Sequence, residues 1–209
     1  SPIVRQGSVV TIGVYDGLHV GHRTIIERVV REAHERSRAG ILVTFDRHPA
    51  SQLRPAEAPR LLTENETKLD LLSKTGLDAT AMIHFDSDQA AEGPEDFVKR
   101  VLVDALNVKR VIVGEDFCFG KGRRGNVNLL RSLGVEHGFD VEAVTLVSGH
   151  DDVTASSTYI RKLVSEGGVE MANRYLGHTF EFSGEVVHGD ARGRTIGFPT
   201  ANVEVSKTV

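Results

Sequence analysis

The chain has 209 residues, of which 40% are hydrophobic and 26% charged, and its formal net charge is −4. This length allows one sizeable α/β domain and part of a second, and the composition is that of a folded globular protein. The negative charge argues against a dedicated nucleic-acid binder, and no apolar run approaches the ~20 residues of a membrane-spanning helix. The lone Cys118 excludes an internal disulfide. With no signal peptide at the start of the chain, these features predict a cytoplasmic protein without nucleic-acid or membrane partners, and they leave its oligomeric state open.

Short β-branched runs alternate with segments of helical periodicity along most of the chain. Strands are expected at residues 8–14, 41–45, 79–85, 109–114 and 140–147, and the first two of them are expected to be buried. Helices are expected over residues 23–39, 64–75, 94–106 and 127–137, followed by a short helix capped by Ser156 or Ser157 and a last one ending near Leu176. The alternation predicts an α/β fold with a parallel sheet, whose ligands bind beyond the carboxyl ends of the strands.

Local signals set several of these boundaries. Gly40 is expected to end the first helix, because glycine often follows the last helical residue. Thr63 and Glu66 form a capping-box pattern ahead of the second helix, and Gly76 is expected to end it. A glycine-rich loop is expected from the fourth strand to about residue 126.

The periodicity changes near Gly177, where apolar and polar residues begin to alternate and no further helix is expected. The expected domains are therefore an α/β domain over residues 1–177 and the opening strands of a β-rich domain over residues 178–209. The second segment is too short to build a hydrophobic core of its own.

Two histidines follow the first strand, in the sequence GVYDGLHVGHR at residues 13–23. His19 and His22 lie where the strand gives way to a helix, and free N–H groups at a helix N-terminus favour anions. Phosphoryl and nucleotidyl transfer needs donors around the oxygens where charge develops, with attack in line. A lone histidine is more often structural, and His-x-x-His can also be part of a metal site. The surrounding glycines favour the transfer role.

This segment resembles the H-x-G-H signature of the nucleotidylyltransferase superfamily. A related signature occurs in class I aminoacyl-tRNA synthetases, so the motif alone indicates a superfamily and not a substrate. The resemblance implies a Rossmann-like domain in which His19 and His22 are catalytic. It also implies that the loop binds ATP, through Gly13, Tyr15, Asp16, Gly17 and Gly21.

Three further segments resemble bacterial FAD synthetases. They are TFDRHP at residues 44–49, VGEDFCFGKGRRGN at 113–126 and SSTYIR at 156–161. The resemblance implies a catalytic Arg161. It implies ATP contacts from Gly114, Asp116, Ser156, Ser157 and Thr158, and flavin contacts from Phe45, His48, Pro49, Phe117 and Phe119.

The chemistry of these segments supports part of that assignment without the family. Hydroxyls at a helix N-terminus can donate to phosphate oxygens, and Arg161 can pair with a phosphate bidentately. The alternative is a helix cap with an arginine on the surface. Phe117 and Phe119 could hold a planar flavin ring or pack beneath their loop. His48 is equally suited to loop structure and to substrate contact.

The C-terminal segment VVHGDARGRTIGFPTANVEV at residues 186–205 resembles the start of the riboflavin kinase domain of bifunctional bacterial FAD synthetases, a β-barrel. That resemblance implies that Thr200 and Asn202 contact magnesium and ATP phosphates. Without it, residues 199–202 would indicate only a turn leading into a strand. Riboflavin phosphorylation by this chain alone is expected to fail if Val209 is its true end.

The resemblance implies an enzyme that uses ATP and Mg²⁺ to adenylate FMN, giving FAD and pyrophosphate, with riboflavin phosphorylation in the complete protein. ATP, FMN and riboflavin are its expected small-molecule partners. Two alternatives remain: a cytidylyltransferase of a small phosphorylated alcohol, and a flavin-binding module without catalysis. The chain departs from the family pattern at Tyr15, where Phe is common, at Arg47, where Pro is usual, and at Tyr159, where Arg is common.

Overall fold

The computed structural model describes residues 3–145, 155–189, 192–195, 197–198 and 200–205. Its strands are β1 (Ser8–Ile12), β2 (Ala39–Phe45), β3 (Ala79–Ile83), β4 (Val108–Gly114), β5 (Cys118–Phe119), β6 (Gly125–Asn126), β7 (Asp140–Val144), β8 (Gly184–Val187) and β9 (Asn202–Val205). Five of them form one sheet in the order β3-β2-β1-β4-β7. Every pairing in it is parallel, which confirms the predicted α/β fold.

The helices are α1 (Val20–Glu35), α2 (Pro49–Leu53), α3 (Asn65–Ser73), α4 (Ser87–Ala91), α5 (Pro94–Phe97), α6 (Val127–His137), α7 (Ser157–Ser165), α8 (Val169–Leu176) and α9 (Arg192–Thr195). Helix α5 continues directly as a π-helix over Val98–Ala105. Within the described ranges, no helix combines the length and apolar character needed to cross a membrane.

The central strands are buried because helices cover both faces of the sheet. Successive side chains of a strand point to opposite faces. Val10 and Ile41 therefore pack with α5, its π-helical extension and α6 in one hydrophobic cluster. Val9 packs with α1 in another cluster, and Leu42 packs with Ile26 of α1 in a third. Apolar burial on both faces explains why these strands are continuous β-branched and aliphatic runs.

The strand order places a topological switch point at β1. From β1 the chain crosses through α1 to β2 and on to β3, and it then returns to the other side of β1 as β4 and β7. Loops that follow the strands on either side of such a point diverge and leave a crevice at the carboxyl edge of the sheet. The loop after β1 therefore lies where a nucleotide is expected to bind.

The first helix differs from its predicted boundaries at both ends. It begins at Val20, three residues before the predicted start at Arg23, with His19 as its N-cap. It ends at Glu35, and the chain turns through Ser37, whose φ is 51°. The expectation that Gly40 ends this helix is wrong, because Gly40 lies inside β2.

The capping box predicted for the second helix is also wrong. The N-cap of α3 is Glu64, whose side chain makes no capping hydrogen bond. The Thr63 hydroxyl instead accepts a hydrogen bond from the Gly17 amide at 3.1 Å, which draws it toward the loop after β1. The competing tertiary partner explains the difference.

The remaining elements follow the predictions with some additions. Helix α6 and the end of α8 at Leu176 lie where they were expected, and Ser156 is the N-cap of α7. Helices α2 and α4 and the β5–β6 hairpin were not predicted, and the expectation that no helix follows Gly177 is wrong, because Arg192–Thr195 form the four-residue α9. Strands β8 and β9 lie in the segment whose alternating pattern predicts strands, and they pair antiparallel. Residues 146–147 of the predicted last strand lie outside the described residues.

Candidate active site

The loop after β1 begins with a buried tyrosine. Tyr15 is 3% exposed, its φ is 52°, and its hydroxyl lies 2.5 Å from the Thr11 hydroxyl. Burial raises the pKa of Tyr15 above its usual range. Its ring centroid lies 4.8 Å from that of His22, so the tyrosine forms a wall of the histidine site. Contact of Tyr15 with ATP stays a prediction.

The two predicted catalytic histidines stack on each other. Their ring centroids are 3.6 Å apart with an interplanar angle of 19°. His19 is 3% exposed, and its Nδ1 accepts a hydrogen bond from the His22 amide at 3.3 Å, which caps α1. His22 Nδ1 is buried and has no hydrogen-bond partner in the described part of the chain. The two imidazoles thus lie at the start of α1, where the helix dipole favours an anionic ligand.

Burial keeps both imidazoles neutral at physiological pH. It lowers the pKa of His19 to about 4, although the charge of Asp16 acts in the opposite direction. Burial, followed by the neighbouring His19, lowers the pKa of His22 well below its ordinary value. A neutral imidazole carries one N–H donor and one acceptor. Such a pair can stabilise charge on a phosphate oxygen by hydrogen bonding without carrying a positive charge itself.

The depressed pKa of His19 makes a prediction for stability against pH. Between the unfolded pKa of about 6.5 and the folded value of about 4, the unfolded chain binds more protons than the folded chain. The contribution of His19 to the free energy of unfolding is therefore fully present above about pH 6.5 and is lost as the pH drops toward 4. The substitution His19→Asn keeps a good N-cap but removes this titration. We expect urea titrations to show a shallower acid loss for this variant than for the wild type.

The exposed His34 on the same helix provides the control. His34→Asn should reproduce the wild-type dependence on pH. An unchanged acid slope in His19→Asn would contradict the assignment of that slope to His19.

Asp16 connects three segments around the histidines. It is 3% exposed and accepts hydrogen bonds from the amides of Leu62 at 2.9 Å and Thr63 at 3.1 Å. It also pairs with Arg161 Nη2 at 2.7 Å. The carboxylate therefore ties the loop after β1 to the segment before α3 and to α7. These partners already engage Asp16, so the structure favours a positioning role over the predicted direct contact with ATP.

The segment before and within α7 is anchored to the same loop. Arg161 Nε donates to the Arg60 carbonyl at 2.7 Å, and the Ser157 hydroxyl donates to the Asp16 carbonyl at 2.9 Å. Ser156 caps α7 by accepting from the Tyr159 amide at 3.2 Å. The side chain of Arg161 is 18% exposed and keeps further N–H donors that these contacts do not use. Contact of Arg161, Ser156 and Ser157 with phosphate stays a prediction.

The other predicted ATP residues lie around the same edge of the sheet. Gly13 follows β1 and packs against the Tyr15 ring, and Gly17 has a φ of +80° that a side chain would strain. Gly21 is in the first turn of α1. The remaining three are Gly114 at the end of β4 and the exposed residues Asp116 and Thr158.

The first predicted flavin segment leaves the sheet at the end of β2. Phe45 is its last residue, and its ring meets that of Phe85 edge-on at 5.3 Å. His48 caps α2 by accepting from the Ala50 amide at 3.1 Å, and Pro49 is the first residue of that helix. Burial, and then the charge of Arg161, lowers the pKa of His48. Phe45, His48 and Pro49 are half-buried, which leaves surface on each for a ligand.

The second predicted flavin segment follows β4, on the opposite side of β1. Phe117 stacks on Phe119 with centroids 5.3 Å apart. Phe119 is 8% exposed and belongs to the main hydrophobic cluster, where it faces Phe97. The structure therefore favours core packing for Phe119 over the predicted flavin contact. Phe117 is half-buried and stays a candidate.

Two polar side chains near the site were not singled out from the sequence. Lys68 is 5% exposed, and its Nζ donates to the Phe45 carbonyl at 2.9 Å. His178 Nε2 lies 2.9 Å from the Gly17 carbonyl. A signal for Lys68 was present, because it precedes the buried Leu72 by four residues and so shares its helix face. No local signal marks His178, which depends on a contact across 161 residues.

The predicted metal ligands lie in the C-terminal segment. Asn202 is the first residue of β9, opposite Val187, and both Thr200 and Asn202 are exposed. Among residues that the structure describes, no three His, Cys, Asp or Glu side chains form a metal-binding group. Mg²⁺ commonly takes only one or two protein ligands and binds largely through substrate phosphates. Exposed hydroxyl and amide oxygens of Thr200 and Asn202 fit that chemistry.

The switch point of the sheet and the neutral histidine pair at the start of α1 define the class of protein to which this domain belongs. The fold is that of a Rossmann-like nucleotidylyltransferase domain. A family model described as FAD synthetase matches residues 2–159, and one described as riboflavin kinase matches residues 176–209. The chain belongs to the FAD synthetase family.

Curated relatives carry the name bifunctional riboflavin kinase/FMN adenylyltransferase. The one from Escherichia coli strain K12 is 39% identical over 206 residues, covering 98% of this chain and 65% of that protein. Relatives of the same name from Listeria monocytogenes and Haemophilus influenzae are 36% and 34% identical, and the match spans 63% and 67% of their lengths. The chain thus spans about two thirds of the length of the curated relatives that it matches.

A solved structure from Streptococcus pneumoniae, described as a macrolide-efflux protein, has the same backbone arrangement. It superimposes with a TM-score of 0.84 at 28% identity, covering 100% of this chain and 69% of that one. This likeness supports the fold described above.

Proposed function

We propose that the chain transfers the AMP moiety of ATP to FMN, giving FAD and pyrophosphate. The observation that carries this proposal is the neutral, stacked pair His19 and His22 at the start of α1, beside the switch point of the sheet. Membership of the FAD synthetase family and the names of the curated relatives support FMN as the acceptor.

The reaction is an in-line displacement at the α-phosphorus of ATP. A phosphate oxygen of FMN forms the new P–O bond, and the bond from the α-phosphorus to the bridging oxygen breaks to release pyrophosphate. The FMN phosphate is already anionic near neutral pH, so the reaction needs no strong general base. Neutral N–H donors of His19 and His22 stabilise the developing charge, and no covalent enzyme intermediate forms.

Arg161 and the hydroxyls of Ser156 and Thr158 orient the leaving pyrophosphate in this account, because the single O–H of Ser157 is donated to the Asp16 carbonyl. Asp16 holds Arg161 at 2.7 Å and so fixes where its remaining donors point. Magnesium on the ATP phosphates would supply further charge neutralisation. Phe45, His48, Pro49 and Phe117 are the proposed flavin contacts.

The proposed domain boundary lies between residues 177 and 178. The α/β domain carries the adenylyl transfer, and residues 178–209 belong to a riboflavin kinase domain that phosphorylates riboflavin in the complete protein. The riboflavin kinase family match over residues 176–209 supports this division. Thr200 and Asn202 are the proposed magnesium and ATP contacts of that domain.

Incubation of the chain with FMN, Mg²⁺ and either ATP or CTP tests the proposed transfer. We expect chromatography to show FAD with ATP and no flavin dinucleotide with CTP. Riboflavin in a parallel tube reports separately on the kinase segment. Activity with CTP and a small phosphorylated alcohol, without FAD from FMN, would identify a cytidylyltransferase instead.

A further inference from the structure

Lys68 is a buried cation with few partners. It lies on α3 and is 5% exposed, and its ammonium donates one hydrogen bond, to the Phe45 carbonyl at 2.9 Å. An ammonium group has three N–H donors. No carboxylate of the described residues lies within ion-pair distance of Lys68. Burial lowers its pKa below the ordinary value, as expected for a cation removed from water.

The nearest carboxylates are occupied elsewhere. Asp16 and Asp46 both favour the charged form of Lys68 through their fields. Asp16, however, pairs with Arg161 at 2.7 Å and accepts two backbone amides. Asp46 lies 2.5 Å from His84 Nδ1 and accepts the Phe85 amide at 3.0 Å. A buried cation without its own counter-ion is costly unless a ligand supplies the charge.

The position of Lys68 indicates which ligand would supply the negative charge. Its ammonium lies at the carboxyl end of β2, where Phe45 and His48 begin the proposed flavin segment. The proposed ATP contacts come instead from the loops after β1 and β4 and from α7. If the flavin lies against this segment, the anion within reach of Lys68 is the phosphate of the flavin substrate rather than the triphosphate of ATP.

We propose that Lys68 binds the phosphate group of FMN and thereby positions the attacking oxygen near His19 and His22. This inference rests on the proposed function. It makes Lys68 a determinant of selectivity for the phosphorylated flavin over riboflavin, because riboflavin has no group for the buried ammonium to bind.

A purely structural role makes a different prediction. In that case Lys68 serves only to hold the end of β2, together with Asn65, whose side-chain amide donates to the Asp46 carbonyl. Loss of the anchor would then disturb the whole flavin segment and weaken binding of FMN and riboflavin alike.

Equilibrium binding of the intact chain to four ligands separates these roles: FMN, riboflavin, ATP and adenosine. The variant Lys68→Met keeps the length of the side chain and removes its charge. We expect its Kd for FMN to rise about 10- to 100-fold, the range for a lost charged hydrogen bond. Its Kd for riboflavin, ATP and adenosine should stay within about twofold of wild type.

Two further variants complete the test. Lys74→Met removes an exposed lysine from the end of the same helix, where it pairs with Asp70 at 2.7 Å, and should change no Kd. Lys68→Arg keeps the charge and should retain part of the FMN affinity that Lys68→Met loses. It tests the proposal even where Lys68→Met is poorly folded. If Lys68→Met loses affinity equally for FMN and riboflavin, or loses affinity only for ATP, the proposal is overturned. Wild-type chain that makes no FAD would instead refute the proposed function.

Discussion

Replacement of His22 by alanine is expected to lower the turnover number for FAD formation about 100- to 1,000-fold, the range seen when one donor to a developing oxyanion is lost. The Kd for FMN should change by less than about threefold, because an interaction made only in the transition state contributes little to ground-state binding. His22 stacks on His19 at 3.6 Å and borders Tyr15, so the substitution removes a group from the proposed reacting centre. Steady-state kinetics and flavin fluorescence measure the two quantities.

His34→Ala is the matched control for this experiment. His34 is an exposed histidine in the last turn of the same helix, far along α1 from the site. The variant His34→Ala should leave both the turnover number and the affinity for FMN near wild type. If His22→Ala weakens FMN binding as much as it lowers turnover, the role assigned to His22 is wrong.

Replacement of Asp16 by alanine is expected to cost about 3–5 kcal/mol of the free energy of unfolding, the usual cost of breaking a buried ion pair from one side. The substitution leaves Arg161 without its carboxylate and two backbone amides without their acceptor. FAD formation should fall with it even where the variant is folded, because Arg161 loses its orientation. Urea unfolding followed by circular dichroism, together with the FAD assay, provides the measurement.

Asp70→Ala gives the comparison for an exposed ion pair. Asp70 pairs with Lys74 at 2.7 Å on the surface of α3, and such pairs contribute at most about 1 kcal/mol. A loss of stability in Asp16→Ala no larger than that in Asp70→Ala would show that Asp16 does not hold the three segments together.

The fold was predictable because its signals are local. Buried β-branched runs such as residues 109–114 and the helical pattern of residues 127–137 correspond closely to β4 and α6. The boundaries that differ depend on tertiary partners. Thr63 does not cap α3, because its hydroxyl accepts a hydrogen bond from the Gly17 amide. Helix α1 begins earlier than predicted, with His19 as its N-cap.

The site was predictable only in part, for a related reason. The histidine pair and the α7 segment could be recognised because each is a short, contiguous motif in the sequence. The carboxylate of Asp16 and the ammonium of Lys68 acquire their roles through partners 145 and 23 residues away, and linear spacing does not reveal such contacts. Likewise, Phe117 and Phe119 are equivalent in the sequence, yet their burial separates a candidate flavin contact from a core residue.

The most direct test of adenylyl transfer follows the label of ATP into its products. The chain is incubated with FMN, Mg²⁺ and ATP carrying radioactive phosphorus at either the α or the γ position. We predict that α-label appears in FAD, that γ-label appears in pyrophosphate, and that the two products form in equal amounts. Tight FMN binding with no α-label in any flavin would contradict the account and identify the chain as a flavin-binding module.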